Sequence, residues 1–197
     1  CGDPITRCEF WLQVQTAMAD RGIDFIDADD LRRYVTMLDA AGFQVHFHAL
    51  GDRAVRQGLD AIEAAIRSNG DDGRRHHLAH LQVVDRADVP RFAALGAGAN
   101  AQPLWARHED QMDVLTIPFL NPTAANHQYP WRSLLDAGAT LAFGSDWPVS
   151  SPNPLLGIGT CLLLMAKLLE GVTGRARDCR GHTFDGAGIL APARGSG

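Results

Sequence analysis

A chain of 197 residues, 46% hydrophobic and 21% charged, has the composition of an ordinary globular protein with one sizeable core. Its formal charge of −5 comes without a long run of either sign, which argues against the clustered basic face of a nucleic-acid binder. The longest apolar run, Cys161 to Ala166, is far short of the ~20 residues of a membrane span, so no membrane partner is expected. Cys1, Cys8, Cys161 and Cys179 show no CxxC spacing, and we read a reducing, cytoplasmic setting. The chain starts at Cys1 and has no signal pattern, which reads as a fragment.

In chain order, residues 1–27 carry Phe10, Trp11, Leu12 and Val14 without a clean period and are expected to be irregular. A helix capped by Asp29 or Asp30 runs to about Ala41, with Leu31, Tyr34, Val35 and Leu38 on one face. Gly42 ends it, and a strand follows over 43–48. Val55, Leu59, Ile62 and Ile66 repeat at three and four, giving a helix from Arg53 to about Ser68. The cluster 69–73 is a turn, and Arg74 and Arg75 read as solvated. His76 to Gln82 forms a second strand; Asp85 caps a third helix to Leu95; Gly98 to Gln102 forms a third strand. A long loop spans 104–122, a helix with Pro130 inside it spans 123–137, and Thr140 to Gly144 is a fourth strand. A last apolar helix runs from Leu155 to about Glu170.

Strand and helix thus alternate four times, which implies parallel strands. No phosphate-binding glycine loop, GxGxxG or GxxxxGK[ST], is present, so a nucleotide-binding sheet is disfavoured. Polar residues gather at C-terminal strand ends: His48, His80, Asn100, Gln102 and Asp146. That is the face on which a (β/α)8 barrel carries its active site, and four βα units make half of one. His46 and His48 share a strand face by the period of two. Two imidazoles and a carboxylate suit a zinc-type ion and leave a position for water; Asp146 suits either a ligand or a general base. The resulting chemistry is hydrolysis.

Each residue also has a plainer reading. His48 fits a hydrogen-bonded core histidine, and His46, one pleat deeper, a supporting role. His76 lies ~13 Å nearer the other end of its strand and reads as structural, while His77 should face the helices. Asp52 fits a helix cap beside Arg53, Asp146 a turn cap, and Trp147 either core or pocket wall.

The segments GFQVHFHALGDRAV, RHHLAHLQVVD, ANAQPLW and QYPWRSLLDAGATLAFGSDWPVSSPNPL resemble amidohydrolase family 3, in the branch of N-substituted formamide deformylase-like hydrolases. The likeness covers about residues 28–160. It implies a (β/α)8 TIM barrel represented by strands five to eight over residues 28–172, with one or two divalent ions, most often zinc. By the same likeness His48 and His80 are metal ligands, and Asp146 is ligand and proton shuttle. Gln102, Trp105 and Trp147 are expected to line the substrate pocket, with His46 and Asp52 supporting the ligands. The implied reaction is hydrolysis of small amide, formamide or carbamate-type C–N bonds by activated water. The family's strand-one His-x-His and strand-four ligand have no counterpart here, so at most one ion is expected from this chain. A truncated, inactive fragment and a phosphotriesterase-like hydrolase are the alternatives. The two open strand edges imply self-association. Beyond about residue 173 the pattern ends, and 173–197 is expected to be disordered.

Overall fold

The computed structural model describes residues 26–125, 127–173, 183–185 and 188–191, with side chains as far as residue 163. The segment 1–25, expected to be irregular, lies outside these residues. Helix α1 (Ala28–Ala40) leads into strand β1 (His46–Ala49) and helix α2 (Asp52–Asn69). Strand β2 (His77–His80), helix α3 (Val89–Ala94) and strand β3 (Gly98–Ala101) follow. The stretch after β3 holds two 3₁₀ turns, Pro103–Trp105 and Ile117–Phe119, and short helices α4 (Asp110–Asp113) and α5 (Pro122–Ala125). Helix α6 (Trp131–Asp136), strand β4 (Thr140–Phe143) and helix α7 (Pro154–Thr173) complete the βα series. Most of the tail expected to be disordered lies outside the described residues; within it β5 (Thr183–Asp185) pairs antiparallel with β6 (Gly188–Ala191).

Strands β1 to β4 form one parallel sheet in chain order, the expected half of an eight-stranded α/β barrel. One face takes the helices. Ala49, Leu78, Ala99 and Ala101 are buried there with Val55, Leu59 and Ile62 of α2, Phe92 of α3 and Leu134 of α6. Burying each of the larger side chains stabilises the fold by about 1.5–3 kcal/mol. The opposite face carries His46 and His48 of β1, whose register partners are His77 and Ala79.

Several elements differ from the sequence reading, each for a local reason. Asp27 rather than Asp29 or Asp30 caps α1, its Oδ1 accepting from the Asp29 N–H at 2.8 Å. Of the α1 face, Val35 is buried and Leu31 packs beside it, but Tyr34 and Leu38 are exposed. Asp85 does not cap α3. Its Oδ1 accepts from Ala87 N–H, closing a turn, and the helix starts only at Val89. The helix expected over 123–137 is two, because Pro130 has no N–H to continue a helix and Tyr129 is left-handed, φ 49°.

His77 faces the open side of the sheet rather than the helices: its ring lies edge-on to His46 at 4.5 Å. His76 points to the helix side and is buried against Asp39 of α1. Arg74 is not merely solvated, since its Nη1 donates to the same carboxylate at 2.6 Å.

Candidate metal centre

The site grows from the ends of β1, β2 and β4. His48 is placed by simple alternation on the open face of β1. His80 is not. Counting from Leu78, which is buried among the helices, position 80 should also point to the helix layer. The backbone breaks that alternation, with φ 71° at His80 and 54° at Leu81. The imidazole turns instead toward His48, and His48 Nδ1 and His80 Nε2 lie 3.0 Å apart. Asp146 is left-handed too, φ 58°. Its carbonyl accepts from the N–H groups of Val149 and Ser150 at 2.8 and 3.2 Å, so the turn after β4 is closed on the residue it presents.

One ligand atom from each of His48, His80 and Asp146 falls within 4.8 Å of the others. Two nitrogens, each ~2.0–2.1 Å from a tetrahedral ion, would be about 3.3 Å apart, close to the imidazole spacing found here. His80 is 2% exposed, and its buried Nδ1 has no hydrogen-bond partner among the described residues. Burial, and then the neighbouring His48 and His46, push its pKa down to about 3, so the ring is neutral at neutral pH. A buried, neutral imidazole beside a second imidazole and a carboxylate fits a zinc-type ion.

The other expected residues fall around this cluster in different ways. His46 stands beside His48, ring centroids 5.3 Å apart. Burial, then His77 and His48, lower its pKa to about 4. Trp105 packs on the His80 ring at 4.8 Å. Gln102 is buried, and its Oε1 accepts from the His80 N–H at 2.7 Å. Trp147 is 68% exposed and so is not part of the core. Asp52 opens α2, and its Oδ1 accepts from Arg53 N–H at 2.8 Å.

The sequence reading missed Tyr129. It is buried in the core, and its hydroxyl donates to the carbonyl of Trp105, the residue packed on His80, at 3.3 Å. Burial, then Glu109, raise its pKa, so the phenol keeps its proton. It also missed the buried amide pair in which Gln82 Nε2 donates to Gln128 Oε1 at 2.7 Å. The AHLQ and QYPW segments held both, but no periodicity marks side chains that meet across 46 positions.

The model of the Amidohydrolase family matches residues 9–180. Protein LONG AFTER FAR-RED 3 of Arabidopsis thaliana is 35% identical over 141 residues, which cover 72% of this chain and 24% of that protein. The N-substituted formamide deformylase of Arthrobacter pascens is 27% identical over 145 residues, 68% of this chain and 24% of its own length. An uncharacterized metal-dependent hydrolase from Pyrococcus furiosus has a similar structure, with a TM-score of 0.56 at 20% identity, over 72% of this chain and 28% of that one. The chain therefore spans about a quarter of the length of the relatives it matches. The match covers every strand of the parallel sheet and the three strand ends that meet at His48, His80 and Asp146, and the chain belongs to the amidohydrolase family.

Proposed function

We propose that this chain supplies the His48–His80–Asp146 part of a metal-dependent hydrolase site for small amide, formamide or carbamate-type C–N bonds. The observation that carries the reading is the convergence of these three side chains within 4.8 Å. Zinc is the ion that the two imidazoles and one carboxylate suit best. When bound, such an ion polarises a carbonyl and lets water lose a proton near neutral pH. His80 offers a neutral ring from a buried position, and His48 offers its own from the exposed side. On this reading Asp146, on a turn closed at its carbonyl, would take a proton from the attacking water and pass it to the leaving nitrogen. Trp105 would wall the substrate space on the His80 side, with Trp147 at its rim and Gln102 beneath. The cytoplasmic setting belongs to the same proposal; among the described residues Cys161 has no disulfide partner.

The test is elemental analysis of the purified chain beside His48→Ala and Asp146→Ala. Close to one zinc-like ion per chain, lost in both variants, is the expected result. A wild-type chain with no more metal than the variants would overturn the reading.

A further inference from the structure

Gln102 touches more of the site than its place beside a strand suggests. It follows β3 directly, is 3% exposed, and sits between the two strand ends that carry His80 and Asp146. Its Oε1 takes the His80 N–H at 2.7 Å, and its backbone carbonyl takes the Trp105 N–H at 3.0 Å. On its other side lies Gly144, two positions before Asp146. A Cβ there would stand 3.5 Å from Gln102 Nε2 and 3.0 Å from Asn100 Oδ1.

The bond matters for a physical reason. The β2–β3 register ends at the pair Ala79–Asn100, so the Ala79–His80 peptide is the last one the sheet holds before the chain turns left-handed. A non-glycine residue in the left-handed region is strained by its Cβ. That strain favours the regular strand, which aims position 80 at the helices. Two bonds bracket the left-handed residue: Gln102 Oε1 accepts the His80 N–H on its near side, and the Ala49 carbonyl accepts the Leu81 N–H at 3.0 Å on its far side, so fixing both peptides fixes the turn between them.

We propose that Gln102 is a positioning residue whose side-chain carbonyl fixes the Ala79–His80 peptide on the near side of the left-handed turn and so aims the His80 imidazole at His48 and Asp146. The consequence for metal binding rests on the reading of these three residues as a metal centre; the backbone role does not.

The test compares Gln102→Leu, which removes the acceptor at similar volume, with Gln102→Glu, which keeps one. Amide hydrogen exchange by NMR reads the bond without any metal. The wild-type His80 amide is expected to be protected. In Gln102→Leu it should exchange at least tenfold faster while Leu78 stays unchanged, and Gln102→Glu should restore protection. Cobalt titration of the same proteins should show affinity at least tenfold weaker in Gln102→Leu and recovered in Gln102→Glu. An unprotected His80 amide in the folded wild type overturns the proposal even if no variant folds. So does unchanged exchange at His80 in Gln102→Leu, or loss of protection spread evenly over the sheet. A wild type that binds no cobalt while the exchange pattern holds would sink the metal reading and leave the positioning role standing.

Discussion

His80 and Asp146 both occupy the left-handed region, at a cost of roughly 1–2 kcal/mol each for a residue with a Cβ. Leu81 and Tyr129 do the same, so all four such non-glycine residues among those described lie at or next to the site. Strain of this kind persists where the surroundings over-determine it, and here the determinants are single contacts. Gly144 is one of them. Its missing side chain is the space into which Asn100 and Gln102 fit, and its N–H donates to Ala101 at 2.9 Å. Gly144→Ala should destabilise the chain by about 1–3 kcal/mol through overpacking. Adding Asn100→Ala, which removes the nearest atoms, should recover most of that loss. Urea denaturation of the single and double variants reads both effects; equal midpoints for wild type and Gly144→Ala would show that the contact yields freely.

At the scale of elements, one carboxylate ties α1 to the sheet. Asp39 is 3% exposed and receives Arg74 Nη1 at 2.6 Å, Asn69 Nδ2 at 2.7 Å and His76 Nε2 at 3.0 Å. Val45 N–H donates to His76 Nδ1 at 3.0 Å, so the bonds on both sides fix the ring with its proton on Nε2. Burial pushes the Asp39 carboxyl up, but the hydrogen bonds from Asn69, Arg74 and His76 outweigh it and hold the pKa below the usual value. The unfolded chain therefore takes up this proton first as pH falls. The stabilisation is complete above about pH 5 and is lost as pH drops through the carboxylate range. Asp39→Asn should cost about 2 kcal/mol at pH 7, where the charge-assisted bonds are intact. The gap between wild type and variant should narrow by pH 3. A gap that stays constant from pH 7 to pH 3 in denaturant titrations would mean that the charge contributes nothing.

Across the whole molecule, β1 and β4 are each paired on one side only among the described strands. Phe43, just before β1, is 61% exposed, and Phe143 on β4 is 58% exposed. Met37 and Leu38 on α1 and Leu155, Leu156 and Ile158 on α7 extend these apolar borders. Unpaired edges flanked by apolar side chains drive association. Sedimentation velocity should find the 21.3 kDa chain in species heavier than a monomer at micromolar concentration, with Phe143→Lys shifting it toward the monomer. A monomer throughout the concentration range would exclude association through these borders. No helix among the described residues is long and apolar enough to cross a membrane.

The sequence by itself determined the βα repeat, the buried stripe of α2 and the family, because these rest on short-range periods and on contiguous motifs such as HALGDRAV and GSDWPV. It also named His48, His80 and Asp146, which the fold brings together. Only the tertiary structure decided how His80 reaches that cluster. Alternation along β2 sends position 80 to the helices, and the left-handed backbone at His80 reverses it, beside a bond to Gln102, 22 residues away. The same limit hid Arg74, whose partner Asp39 lies 35 residues upstream, and the open-side position of His77, which follows from its register with His46. Periodicity reports which face a residue would take in a regular element. The exceptions here sit at long-range bonds and register pairs, and a pattern in one chain carries no record of those.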